Sequence, residues 1–132
     1  MMPDPFTVTP LYAGLLAFLF LFLSIRVVFR RYSAGVSIGD GNDKDLQKRM
    51  RVQANFAEYT PIALILLAMA ELQGAPLMVL HFLGLMLLSG RCIHAVGLGR
   101  SPQLIFARKT GMYLTVGMIV IAAFSNIMHA IF

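Results

Sequence analysis

Apolar and polar residues fall along this chain in long blocks, without the short repeat of a soluble amphipathic helix or strand. Four apolar runs stand out: Leu11 to Phe29, Phe56 to Leu72, Leu77 to Leu88 and Gly111 to Phe132. A helix that crosses the hydrocarbon core of a bilayer needs about 20 mostly apolar residues. The first and last runs reach that length unaided. The second contains Glu58 and follows Lys44 to Ala54, a basic stretch without glycine or proline that can carry the same helix out of the membrane. The third is short before Gly90 but extends through Arg91 and His94 to about Gly97. The pattern predicts an all-α fold, a four-transmembrane-helix bundle that uses residues 1–132 as a single integral membrane domain. Three breaks separate the helices: Ser37 to Asp43, rich in Gly and Asp; Gly74-Ala75-Pro76; and a turn built on Gly97, Gly99 and Pro102.

Composition agrees with this pattern. Apolar residues make up 58% of the chain and charged residues 13%, far from the balance of a water-soluble domain. Leu11 to Ile25 resembles the apolar part of a signal peptide, but Asp4 precedes it and arginines follow it, so a retained helix is expected. The net charge of +5 comes from eleven Lys and Arg residues, all within Arg26–Arg51 and Arg91–Lys109, whereas the opposite segments hold only Asp4 and Glu71. By the positive-inside rule the two basic loops face the cytoplasm, and both termini and the Gln73 to Pro76 turn face outward across a cell inner membrane. Nucleic acid is an unsuitable partner, because no soluble basic surface interleaved with aromatics exists to hold it. The one cysteine, Cys92, excludes an intrachain disulfide and a multi-cysteine zinc site, and no metal site is expected.

The chemistry sits at the basic end of the helices. Arg51, Asn55 and Glu58 are spaced i, i+4, i+7 and share a helix face, with Tyr59 beside Glu58 and Gln53 nearby. An ionisable side chain that faces lipid costs at least ~2.5 kcal/mol, so Glu58 needs a partner or a hydrated cavity. A salt bridge to Arg51 or to a neighbouring helix is the structural alternative to a ligand. Arg91 and His94, at i, i+3, lie on one face at the same depth as Arg51 and Asn55. Arg30 and Arg31 close the first helix, and Arg108-Lys109-Thr110 opens the fourth, with Tyr113 one turn on. Each arginine alone reads as a snorkelling residue. Together with Gln53, Asn55, Glu58, Tyr59, His94 and Tyr113, they suit a small ligand with several carboxylates and one amine. For His81 and His129, toward the outer face, a structural role is the expectation.

The segment Arg51-x-Gln53-x-Asn55-x-x-Glu58-Tyr59-x-Pro61 resembles the second-helix signature of the MAPEG family, membrane-associated proteins of eicosanoid and glutathione metabolism. The Arg30-Arg31 pair and Arg91-x-x-His94 extend that resemblance over the whole chain. It implies a homotrimer with glutathione, as co-substrate, held between adjacent subunits near the cytoplasmic side. On that basis Arg30, Arg51, Gln53, Asn55, Glu58, Tyr59, Arg91, His94 and Tyr113 would bind glutathione. Arg108, Lys109 or Arg31 would activate its thiol. Leu98 stands where the family often has a tyrosine, which removes one hydroxyl contact. The implied activity is a glutathione transferase or peroxidase acting on hydrophobic small molecules that arrive through the bilayer. A non-catalytic lipid-binding scaffold is the alternative. A small transporter fits less well, since the charges gather at one surface and no inverted repeat is visible.

Overall fold

The computed structural model describes residues 6–132, so Asp4 lies outside the described residues. The chain is all-helical there, with α1 Val8–Ala34, α2 Lys44–Leu72, α3 Leu77–Gly99 and α4 Ile105–Ile131. All four are long and apolar enough to cross a membrane. They run up, down, up and down. Helices α3 and α4 pack most extensively, α2 touches the other three, and α1 and α4 do not meet.

Local chemistry explains where each helix begins and ends. Helix α1 starts without a side-chain cap of its own. Its first amides are taken instead by Glu71, at the far end of α2, whose carboxylate accepts from Thr7 and Val8 N–H at 2.7 Å each and from Thr9 N–H at 2.6 Å. A carboxylate against a helix N-terminus meets both the free N–H groups and the positive end of the dipole. Helix α1 runs past Arg30 and Arg31 and stops at Gly35, which adopts φ +67°. The paired bonds Gly35 N–H to Tyr32 O and Val36 N–H to Arg31 O form a Schellman motif. Helix α2 is capped by Asp43, whose side chain accepts from Leu46 N–H at 2.7 Å. Pro61 lies inside α2, where it removes one backbone hydrogen bond.

Two boundaries differ from the sequence pattern. Gly97 and Gly99 belong to α3 and not to a turn, and α4 begins at Ile105, before the expected start at Arg108. The reason is packing. A Cβ at Gly97 would run into the backbone of Ala107 and Arg108, one at Gly111 would run into the backbone of His94, and one at Gly90 would lie 3.0 Å from Gly111 O. These glycines bring the α3 and α4 backbones together. In lipid such close approach replaces the hydrophobic driving force available in water.

The core between the helices holds Leu16, Leu23, Val52, Phe56, Ala63, Leu67, Leu83, Leu87 and Met118. Large apolar side chains such as Phe18, Phe22, Phe29, Phe82 and Phe124 point outward, as a lipid-facing surface requires. At the end opposite the basic loops, Tyr12 Oη lies 3.1 Å from His81 Nδ1 and Asn126 Nδ2 donates to Leu66 O at 2.9 Å, while Thr9 Oγ1 and Asn126 Oδ1 are buried without a partner among the described residues. His81 thus has the structural role expected of it.

The α3/α4 contact predicts that Gly97→Ala lowers the thermal midpoint of the detergent-solubilised protein, at a cost of ~1 to 3 kcal/mol from overpacking against backbone. Gly14→Ala is the control, since no atom lies within 4 Å of its added Cβ, and it leaves the midpoint unchanged or slightly raised. Circular dichroism melts of the two variants make the comparison.

Candidate functional site

The N-terminal half of α2 leaves the bundle with three different faces, and the sequence spacing decides which residue joins which. Arg51 and Glu58 are on the open face, their side chains 60% and 51% exposed, with Arg51 Nη1 3.4 Å from Glu58 Oε1. Of the expected Arg51, Asn55 and Glu58 stripe, Arg51 and Glu58 share the open face and form the salt bridge, whereas the Asn55 amide oxygen turns inward. Gln53 turns toward α1, where Nε2 reaches Ser24 Oγ at 3.5 Å. Asn55 and Tyr59 are half-buried. Asn55 turns toward α3, and its Oδ1 accepts from Arg91 Nη2 at 2.6 Å.

Arg91 and His94 lie inside the bundle, at 1% and 2% exposure. The Arg91 guanidinium carbon sits 6.0 Å from the Phe56 ring centroid, a cation–π contact at the edge of its useful range. Arg91 Nε and Nη1 and His94 Nδ1 have no hydrogen-bond partner among the described residues. A buried donor without an acceptor costs about 1 to 3 kcal/mol, and more when charged. These groups are part of the interior of α2, α3 and α4 and are not surface ligands in a single chain.

Two arginines of α1, Arg30 and Arg31, are occupied. Arg30 grips Asp43 with two bonds, Nε to Oδ1 at 3.0 Å and Nη2 to Oδ2 at 2.5 Å, and its Nε lies 3.4 Å from Asp45. Arg31 donates to Gly39 O at 2.6 Å and lies 3.6 Å from the Met50 sulfur. Arg49 pairs with Asp45 at 3.1 Å and donates to Arg26 O. Asp43 and Asp45 were not singled out by the sequence pattern. The signal was available, since an Asp directly before a helix, thirteen residues from an arginine at the end of the preceding one, is a natural cap and counter-charge.

On α4, Arg108 donates to Gln103 Oε1 at 3.1 Å, Lys109 is exposed, and Tyr113 is 73% exposed. No hydrogen bond or ion pair joins these three to the α2 stripe among the described residues. Because α1 and α4 do not touch, one chain does not bring Arg31 together with Arg108, Lys109 or Tyr113. The structure thus gathers Arg51, Asn55, Glu58 and Tyr59, with Arg91 and His94 behind them. Arg30, Arg31 and Gln53 stay on the α1 side, and the α4 residues stay apart. No group of three metal-ligating side chains occurs among the described residues.

The Arg30–Asp43 pair has a measurable consequence. The Arg30 hydrogen bond, together with the Leu46 amide, holds the Asp43 carboxyl down from its ordinary 3.8 to about 2. A carboxylate depressed in the folded state stabilises the fold above its ordinary pKa, and that contribution fades as pH falls from about 4 toward 2. Asp43→Asn keeps an N-cap acceptor but loses the charge. Its thermal midpoint should therefore change less than that of the parent between pH 4 and pH 2, as followed by circular dichroism.

The MAPEG family model matches residues 9–128. The inner membrane protein YecN of Escherichia coli K12 is 34% identical over 122 residues, which cover 92% of this chain and 92% of that protein. YecN of Escherichia coli O6:H1 matches with the same identity and coverage. No solved structure matches the chain.

Proposed function

The chain belongs to the MAPEG family, and from that premise we propose that it is a membrane-bound glutathione transferase or peroxidase acting on hydrophobic electrophiles or lipid hydroperoxides. The observation that carries this reading is the open stripe on α2. Arg51 and Glu58 stay exposed beside half-buried Asn55 and Tyr59, although they are carried on a helix apolar enough to cross the membrane. Facing lipid, such charges are expensive. Facing a zwitterionic ligand and a second copy of the chain, they are matched. We therefore propose a homotrimer in which neighbouring copies bring α1 and α4 residues to this stripe, with both basic loops cytoplasmic and both termini outside.

In this reading Arg51 and Asn55 hold carboxylates of glutathione and Glu58 holds its ammonium group. A free thiol with pKa about 8.5 is only slightly ionised at pH 7. A cation within about 4 to 6 Å lowers that pKa by ~1 to 3 units. Arg108 is the better candidate for that cation because a guanidinium stays charged in a partly dry site, and Lys109 is the other. Arg31 is held by Gly39 and Met50 and is the weakest of the three. The thiol proton leaves to solvent, and the thiolate forms a sulfur–carbon bond with the electrophile as its leaving group departs. With a hydroperoxide, the thiolate takes the distal oxygen as the O–O bond breaks, giving an alcohol after protonation. A second glutathione then converts the sulfenic acid to the disulfide and releases water.

One feature also favours a lipid-binding scaffold as the second reading. An apolar groove of about 320 Å³ between α1 and α2, lined by Ala13, Ala17, Phe20, Ala57, Pro61 and Leu64, has room for an acyl chain.

Stopped-flow absorbance at the thiolate band, after mixing glutathione with detergent-purified protein, separates the two readings. The enzyme reading expects a thiolate signal in the wild type. Arg51→Ala loses it through weaker binding, and Arg108→Ala loses it with binding retained. A wild type with neither binding nor thiolate overturns the glutathione reading and leaves the scaffold.

A further inference from the structure

Asn55 and Arg91 meet across 36 residues of sequence, and the chemistry of that contact has only one polarity. A guanidinium has donors and no acceptor. The Asn55 atom 2.6 Å from Arg91 Nη2 is therefore the amide oxygen, whichever way an unconstrained amide would have been placed. The consequence is directional. With Oδ1 turned inward to α3, Asn55 Nδ2 is left without a partner among the described residues, on a helix whose next polar positions, Arg51 and Glu58, lie on the open face.

We infer that Arg91 is a positioning residue that fixes the Asn55 amide so that it presents an N–H donor to the ligand, which must place an acceptor oxygen there. This rests on the glutathione reading above, which it deepens. It also replaces the direct glutathione contact implied for Arg91 by the sequence resemblance. Two observations and one physical argument support it. Arg91 is 1% exposed and lies behind Asn55 and Phe56. No carboxylate lies within salt-bridge distance of it among the described residues, so its strongest directed interaction is the one with Asn55. Holding a guanidinium at one amide oxygen restricts the side-chain rotation that would otherwise exchange donor and acceptor at the site.

The stripe then reads cation, donor, anion from Arg51 through Asn55 to Glu58. A ligand that fits has carboxylate or carbonyl oxygens toward Arg51 and Asn55 and an ammonium group toward Glu58. A donor at the Asn55 position is rejected, because two N–H groups would face each other.

Glutathione affinity of the detergent-solubilised full chain, measured by calorimetry, tests this with four variants. Asn55→Asp keeps an acceptor for Arg91 but removes the outward donor, so it weakens binding about ten- to a hundredfold. Arg91→Met frees the amide and weakens binding about tenfold, and Arg91→Lys, which can still donate to Oδ1, recovers most of it. Because Arg91 acts through Asn55, the double variant Asn55→Ala/Arg91→Met binds no more weakly than Asn55→Ala alone. Each variant is first checked for an unchanged circular dichroism spectrum. If Arg91→Met does not fold, Asn55→Asp alone decides: affinity equal to or above wild type overturns the donor assignment. A further tenfold loss in the double variant makes Arg91 a direct ligand contact and overturns the positioning role. A wild type that binds no glutathione overturns the functional reading, and this inference with it.

Discussion

The hydrocarbon core of a bilayer supplies no hydrogen-bond partner, and this constraint organises the molecule. Helices satisfy their own backbone, but each helix end and each polar side chain must find a protein group or reach a surface. At the end opposite the basic loops, Glu71 closes the first amides of α1 and Tyr12 reaches His81. Toward the basic end, Arg30, Asp43, Asp45 and Arg49 form a chain of alternating charge that ties α1 to the start of α2. Lys48 adds a tie from α2 to Arg100 O and Ser101 in the α3–α4 loop. The two ends are thus stapled by charge and the middle is filled by apolar packing.

Within that frame α3 and α4 pack as one close pair, because glycine on each helix lets the backbones approach. The pair carries His94, Arg91 and the start of α4 in fixed relation. Helix α2 lies against this pair with its apolar side and keeps Arg51 and Glu58 outside. A packed interior behind an open polar stripe is the arrangement a binding site needs, since packed supporting residues have little freedom left to lose when a ligand arrives.

The basic residues divide by what they already hold. Arg30, Arg31 and Arg49 are spent on the connection between α1 and α2, and Arg91 is spent on Asn55. Among the described residues, Arg51 has only a long contact to Glu58, and Lys109 is exposed at the start of α4 without a hydrogen bond or ion pair. Recognition falls to groups whose donors are not already engaged, so the second group outweighs the first in the proposed site. The same division explains why Arg30 and Arg31, alike in sequence to the candidate ligands, work as structural arginines in a single chain.

The sequence alone determined the number of helices, because a 30 Å apolar core demands runs of a certain length and the chain contains them. It also determined that Arg51 and Glu58 share a face, because 3.6-residue periodicity is a local property. The resemblance to the MAPEG family was legible for the same reason, resting on a short spacing within one helix. It did not determine the role of a glycine: Gly97 signals a turn by residue type, yet it lies within α3 because the Arg108 backbone occupies the space beside it. Nor did it determine which arginines are free or which way Asn55 faces. Those depend on a partner on another helix, 13 residues away for Arg30 and 36 for Asn55. A hydrogen bond is short and directional, so only the packed bundle decides which donors and acceptors come within 3 Å of each other.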